Sequence, residues 1–162
     1  MTLCLWGWRQ AAPTVSSAGS HRATHTVLAA ALLLPFRAGV IDAVLAPNLL
    51  SHLSSTRRRA RALAEILRVL AVGGRALLTV AARELAPAAV RALPSQDVLI
   101  PPLIPPHSAG NAPETPREET PACYFHMFEA GELEALVASL GACVHVESFA
   151  SARQYGVVLG GP

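Results

Sequence analysis

From residue 27 onward the apolar positions fall first into short unbroken runs and then into a helical spacing. Val27 to Leu32 is apolar throughout and is followed by Pro35, which cannot continue a ladder hydrogen bond, so it reads as a short buried strand. Phe36 to Gly39 is a turn. Val40 to Ala46 is a second apolar run with Asp42 near its start, closed by the turn residues Pro47 and Asn48, and reads as a parallel strand. Ser54, Ser55 and Thr56 offer cap oxygens to a helix from about Arg57 to Leu70, with Ala60, Leu63, Ala64, Leu67 and Leu70 spaced for one buried face. Gly73-Gly74 is expected to terminate that helix, and Arg75 to Ala82 to follow as another buried strand. The order strand, strand, helix, strand predicts an α/β sheet.

Periodicity returns near the C-terminus. Leu133, Leu136, Val137 and Leu140 form one apolar stripe of a helix from about Ala130 to Leu140, capped by Gly141. Cys143 to Phe149 and Gln154 to Leu159 follow as two strands around Ala150–Arg153, most simply an antiparallel hairpin at a sheet edge. Between these regions, Pro87 to Pro121 holds nine of the 13 prolines, which rules out a long helix or a central strand there. It reads as a loop or inserted lid, and Ser108 to Thr120 has the polar, Pro-rich composition of disorder.

Composition narrows the function classes. The 162 residues suffice for one domain with a sizeable core. Thirteen arginines, no lysine and 11 acids leave a net charge of +2, too balanced for nucleic-acid binding by bulk charge, so any basic patch must be local. Cys4, Cys123 and Cys143 are an odd set with no C-x-x-C pair, which argues against a disulfide framework and a cysteine metal site and fits a reducing, cytoplasmic setting. Val27 to Leu34 is the longest apolar stretch and falls far short of the roughly 20 residues of a membrane span.

The first acidic residue is Asp42, and Arg9, His21, Arg22 and His25 precede it among Ser and Thr. That pattern admits an organelle transit peptide. The favoured reading of residues 1–26 is a poorly structured or truncated start, because Met1 to Ser20 mixes Trp6, Trp8 and Pro13 with no sustained period. Residues 27–160 would then be the domain proper, with the Pro-rich loop at 87–121.

In an open α/β sheet ligands bind beyond the carboxyl ends of the strands, which marks Ala30-Ala31, Ala46-Pro47-Asn48 and Ala81 to Glu84. The phrases at these places carry a resemblance. Ala30-Ala31-Leu32-Leu33-Leu34-Pro35-Phe36, Ile41 to Ser54, and Leu70 to Leu78 follow the order of the later motifs of a class I S-adenosylmethionine (SAM) methyltransferase of the type 11-like kind. No Gly-rich G-x-G-x-G loop precedes them, and Ala30 stands where that family has an acid for the adenine. The resemblance implies an incomplete Rossmann-like sheet, mostly parallel with a C-terminal antiparallel hairpin. It implies SAM as cofactor, with Ala30, Ala31, Leu32, Ala46, Pro47 and Asn48 at its site.

Later phrases resemble one branch, the tRNA wobble carboxymethyluridine methyltransferases. Thr56 to Leu63 resembles its arginine-rich helix start, and Gln96-Asp97-Val98-Leu99-Ile100-Pro101 its Q-D-V-L-V-P phrase. Cys123 to Glu134 is similar to R-Y-Y-H-V-F-x-x-G-E-L-E, with Cys123 at the arginine, and Arg153 to Leu159 resembles G-N-W-C-V-I-L. The implied reaction esterifies the carboxylate of a carboxymethyl group on wobble uridine. The implied substrate-facing residues are His52, Glu84, Tyr124, His126, Gln154 and Tyr155, and the implied partners are tRNA and a small zinc-binding activator protein. By residue type alone, His52 reads more readily as a structural hydrogen-bonder than as a catalyst, and Tyr124, Phe125 and Phe128 serve a packed core as well as a pocket. The residues leave two readings open: an active tRNA methyltransferase, or a catalytically inactive domain of the same fold that binds or regulates.

Overall fold

The computed structural model describes residues 2–4, 27–100, 122–141 and 144–161. A five-stranded sheet has the order β1-β2-β3-β7-β6, made of β1 (Thr2–Cys4), β2 (Ile41–Pro47), β3 (Leu70–Ala81), β6 (Val144–Ser151) and β7 (Gln154–Gly160). The β1–β2 and β2–β3 pairs are parallel, and β3–β7 and β6–β7 are antiparallel. A second sheet pairs β4 (Asp97–Ile100) with β5 (Cys123–His126) antiparallel. The α/β class and the terminal hairpin, turning through Ala152 at φ 48°, are as the sequence predicts. Thr2–Cys4 contributes β1 from within the segment expected to lack regular structure; residues 5–26 and the Ser108–Thr120 stretch lie outside the described residues.

Two helices cover one core. Helix α1 (Thr56–Val69) starts where Ser55 Oγ accepts the Arg58 N–H, as the cap chemistry predicts, and α3 is Glu132–Ala138. Ala62, Leu63, Ile66 and Val69 of α1 meet Leu133, Leu136 and Val137 of α3 and Val44, Ala76, Leu78 and Leu159 of the sheet. Burial of each large aliphatic side chain there contributes about 1.5–3 kcal/mol. The buried stripe of α1 is rotated by about one residue from the expected face: Arg59 and Glu65 point inward, while Ala60, Ala64 and Leu67 are half-buried.

Two expectations are corrected. Val27 to Leu32 is not a strand: Ala30 and Leu33 form only an isolated bridge, and Leu28 is fully exposed. Both edges of β2 are taken by β1 and β3, so this apolar run cannot join the sheet beside β2. The following turn is held by side chains of α1 instead. The buried Glu65 carboxylate accepts the Leu34 N–H at 3.0 Å, and Arg68 donates to the carbonyls of Leu34 (3.0 Å) and Phe36 (2.9 Å).

Nor does Gly73-Gly74 end the helix. Val69 does, and β3 begins at Leu70 and runs through both glycines. Gly73 has φ 72°, and a Cβ on Gly74 would lie 2.9–3.1 Å from the carbonyl oxygens of Ala71, Asp42 and Ile41. The pair serves a bulge and a close approach of β2 to β3, where the register shifts between Ile41 and Ala43. Within the Pro-rich stretch, α2 (Ala88–Arg91) is one turn and β4 is four residues long, in keeping with the exclusion of long elements.

Candidate functional site

The carboxyl end of β2 turns sharply. Asn48, at φ 53°, donates its N–H to the Thr79 carbonyl of β3 at 2.8 Å, which fixes the turn against the neighbouring strand. Asn48 Oδ1 and Thr79 Oγ1 are buried there, and neither has a hydrogen-bond partner among the described residues. Unpaired buried polar atoms cost about 1–3 kcal/mol each. Ala46 is buried and Pro47 exposed beside them. Ala30, Ala31 and Leu32 lie in the turn that α1 holds, where Arg61 Nε donates to the Leu32 carbonyl at 3.3 Å.

The chain then makes a single 3-10 turn, Leu50–His52. The Ser51 hydroxyl accepts the Ala81 N–H at 3.3 Å. The His52 ring meets Phe125 edge-on at 5.1 Å between centroids. Burial lowers the His52 pKa below its ordinary value, and a hydrogen bond to the Tyr124 backbone opposes that in part.

A charged cluster fills the space between the small sheet, α1 and α3. His126 Nδ1 lies 2.6 Å from Asp97 Oδ1 and Nε2 lies 2.8 Å from Glu132 Oε1, so the buried imidazole bridges two carboxylates. Tyr124 donates its hydroxyl to Asp97. The Tyr124 hydroxyl and then His126 hold the Asp97 carboxyl below the usual range, and burial followed by Asp97 pushes the Tyr124 phenol up. Gln96 Nε2 donates to Glu132 Oε2 at 2.9 Å. Arg59 donates to the Leu53 carbonyl at 3.0 Å and to Thr56 Oγ1 at 3.2 Å, and its guanidinium carbon sits 5.6 Å from the Phe128 centroid.

A third group ties the end of β3 to β7. Glu84 accepts the Tyr155 hydroxyl at 2.7 Å and the Ala130 N–H at 3.0 Å. The hydrogen bond to Glu84, reinforced by burial, pushes the Tyr155 pKa up to about 12. Gln154 starts β7 opposite Ala81. The sequence-predicted residues therefore fall into three settings: Asn48 at the strand end, His52, Tyr124 and His126 around the small sheet, and Glu84, Gln154 and Tyr155 at the β3–β7 junction.

Asp97, Glu132, Arg59 and Thr79 were missed as members of these groups. Arg59 was legible in principle, because it falls on the 59, 62, 63, 66, 69 stripe that the core occupies. Asp97 meets His126 across 29 residues, a separation that no local pattern reports. Among the described residues no group of three or more His, Cys, Asp and Glu could hold a metal ion, and no helix is long and apolar enough to cross a membrane.

Comparison with known proteins fits this geometry. Residues 8–78 match the family described as a methyltransferase domain. A SAM-dependent methyltransferase from Methanosarcina mazei superposes with a TM-score of 0.60 at 16% identity, over 82% of this chain and 65% of that one. The chain has the SAM-dependent methyltransferase fold. The CcbJ methyltransferase from Streptomyces caelestis (TM-score 0.56, 12% identity, 84% and 63% covered) and a protein from Pyrococcus horikoshii (0.56, 18%, 84% and 58%) share it. Over 54 residues the chain is 44% identical to the tRNA (carboxymethyluridine(34)-5-O)-methyltransferase alkbh8 of Xenopus tropicalis, a stretch covering 33% of this chain and 9% of that protein. The methyltransferase-fold chain thus spans less than two thirds of the length of each of these relatives.

Proposed function

We propose that the chain is a SAM-dependent tRNA methyltransferase domain that esterifies the carboxymethyl group of wobble uridine. The observation that carries this reading is the 44% identity over 54 residues to a protein named for that reaction. The Gln96–Pro101 and Cys123–Glu134 phrases support it, and they coincide with β4 and β5 and with the residues of the charged cluster.

The reading gives the chain's own residues a role toward such a methyl donor. SAM carries an ammonium and ribose hydroxyls, which are donors, and Asn48 Oδ1 and Thr79 Oγ1 are buried acceptors without partners among the described residues. Ala46 and Pro47 with Asn48, and Ala30, Ala31 and Leu32 on the turn held by α1, would hold the cofactor. When bound, it supplies an electrophilic methyl group. His52, Tyr124 and His126 around the small sheet, with Glu84, Gln154 and Tyr155 at the β3–β7 junction, would frame the substrate. A carboxylate nucleophile is already ionised at neutral pH, so these residues need only orient it and exclude water, and no general base is required. The whole reaction would use tRNA and the small zinc-binding activator protein as partners.

A second reading, a binding or regulatory domain that has lost catalysis, is favoured by Ala30 and Cys123 at positions where the resembled family has an acid and an arginine. Isothermal titration of the chain with SAM tests the first. Heat that saturates supports the enzyme, and no heat at millimolar SAM overturns it.

A further inference from the structure

The first turn of α1 holds Arg57, Arg58 and Arg59 and no acid. The three have different fates. Arg59 turns inward onto Phe128 and the Leu53 carbonyl, whereas Arg57 and Arg58 are exposed and form no ion pair with any described residue; Arg58 reaches only Ser54 Oγ at 3.4 Å. Arg61, one turn on, is exposed and lies against Glu65 at 3.9 Å. The positive end of the helix macrodipole adds to these charges, so the fold keeps an uncompensated cationic edge where acids would stabilise it.

That edge follows the His52 turn by a few residues, and His52 packs against Phe125 beside Tyr124. Exposed guanidinium groups grip phosphates, and aromatic side chains nearby on the chain can stack bases. We propose that Arg57 and Arg58, with Arg61 at their margin, grip the phosphate backbone of an RNA strand whose base is presented to the His52–Phe125–Tyr124 side. The inference rests on the tRNA reading above and gives it a phosphate-binding edge. A net charge of only +2 makes this local cluster, rather than the whole chain, the source of RNA affinity.

The test uses the full 162-residue chain and its Arg57→Gln, Arg58→Gln double variant, titrated onto a labelled anticodon stem-loop RNA at several salt concentrations. The double variant is expected to bind about tenfold more weakly at moderate salt, with the slope of log affinity against log salt reduced by roughly 1.4, since each single-strand phosphate contact contributes about 0.7. Because the arginines oppose the helix dipole, its melting temperature is expected to stay level or rise by about 2–4 °C, so unfolding cannot explain weaker binding. Equal affinity and slope in the two proteins overturn the proposal, as does wild-type chain that leaves RNA free, including a chain that pellets with phosphatidylserine vesicles instead. SAM calorimetry on the same samples separates the two levels: RNA binding lost in the variant with no SAM heat in either protein keeps the grip and sinks the enzyme reading.

Discussion

Asn48 Oδ1 and Thr79 Oγ1 lie buried near the carboxyl ends of adjacent parallel strands, joined through the Asn48 N–H to Thr79 carbonyl bond, and neither side-chain oxygen has a partner among the described residues. Thr79→Val keeps the shape and removes an unpaired oxygen, and Asn48→Gly removes the other while tolerating φ 53°. Each is expected to leave thermal stability unchanged or raise it by about 1 kcal/mol, since no hydrogen bond is lost. Both are expected to weaken SAM binding by calorimetry. A variant that loses stability without losing SAM binding would assign these oxygens to the fold alone.

Glu65 is the joint between α1 and the Leu34–Phe36 turn. Glu65→Ala strips partners from the Leu34 N–H and the Arg68 guanidinium and is expected to cost about 2–4 kcal/mol by denaturant unfolding. The hydrogen bond from Arg68 holds the Glu65 pKa below its ordinary value of 4.5. A depressed carboxyl contributes stability that is present above the unfolded value and lost as pH falls through the folded one. Wild-type stability should therefore drop below about pH 4.5, more steeply than that of Glu65→Gln.

At high pH the Tyr155–Glu84 bond makes the opposite prediction. A pKa raised from 10.0 to about 12 gives stability that is complete below pH 10 and lost between about 10 and 12. Tyrosinate absorbance of the folded chain should show Tyr155 titrating near 12, and Tyr155→Phe should remove that contribution.

His126 bridges Asp97 and Glu132, so His126→Ala leaves two carboxylates facing each other across a vacated ring. The expected cost is about 2–3 kcal/mol, with hydrogen exchange accelerated first in β4 and β5. Gly74→Ala, by contrast, forces a Cβ among three carbonyl oxygens and should cost about 1–3 kcal/mol with exchange accelerated in β2 and β3.

Much of this fold is legible in sequence because its elements carry local signals. The Ser55 cap, the β2 run closed by Pro47-Asn48, and the C-terminal hairpin each follow from a period or a turn residue within a few positions. The failures share a cause in pairing. Val27 to Leu32 has strand composition but makes only the Ala30–Leu33 bridge, and Gly73-Gly74 looks like a helix stop until the approach of Asp42 and Ile41 is seen. The candidate site was half legible: His126, Tyr124 and Glu84 stand in recognisable phrases, but Asp97 as the partner of His126 and Arg59 as an inward arginine depend on contacts between distant segments.

The most direct test is methyl transfer itself: the chain, tRNA bearing carboxymethyluridine at the wobble position, and SAM labelled on its methyl group. Label is expected in an alkali-labile methyl ester on that uridine. Label absent even with the activator protein present, or found in an alkali-stable position, would contradict it.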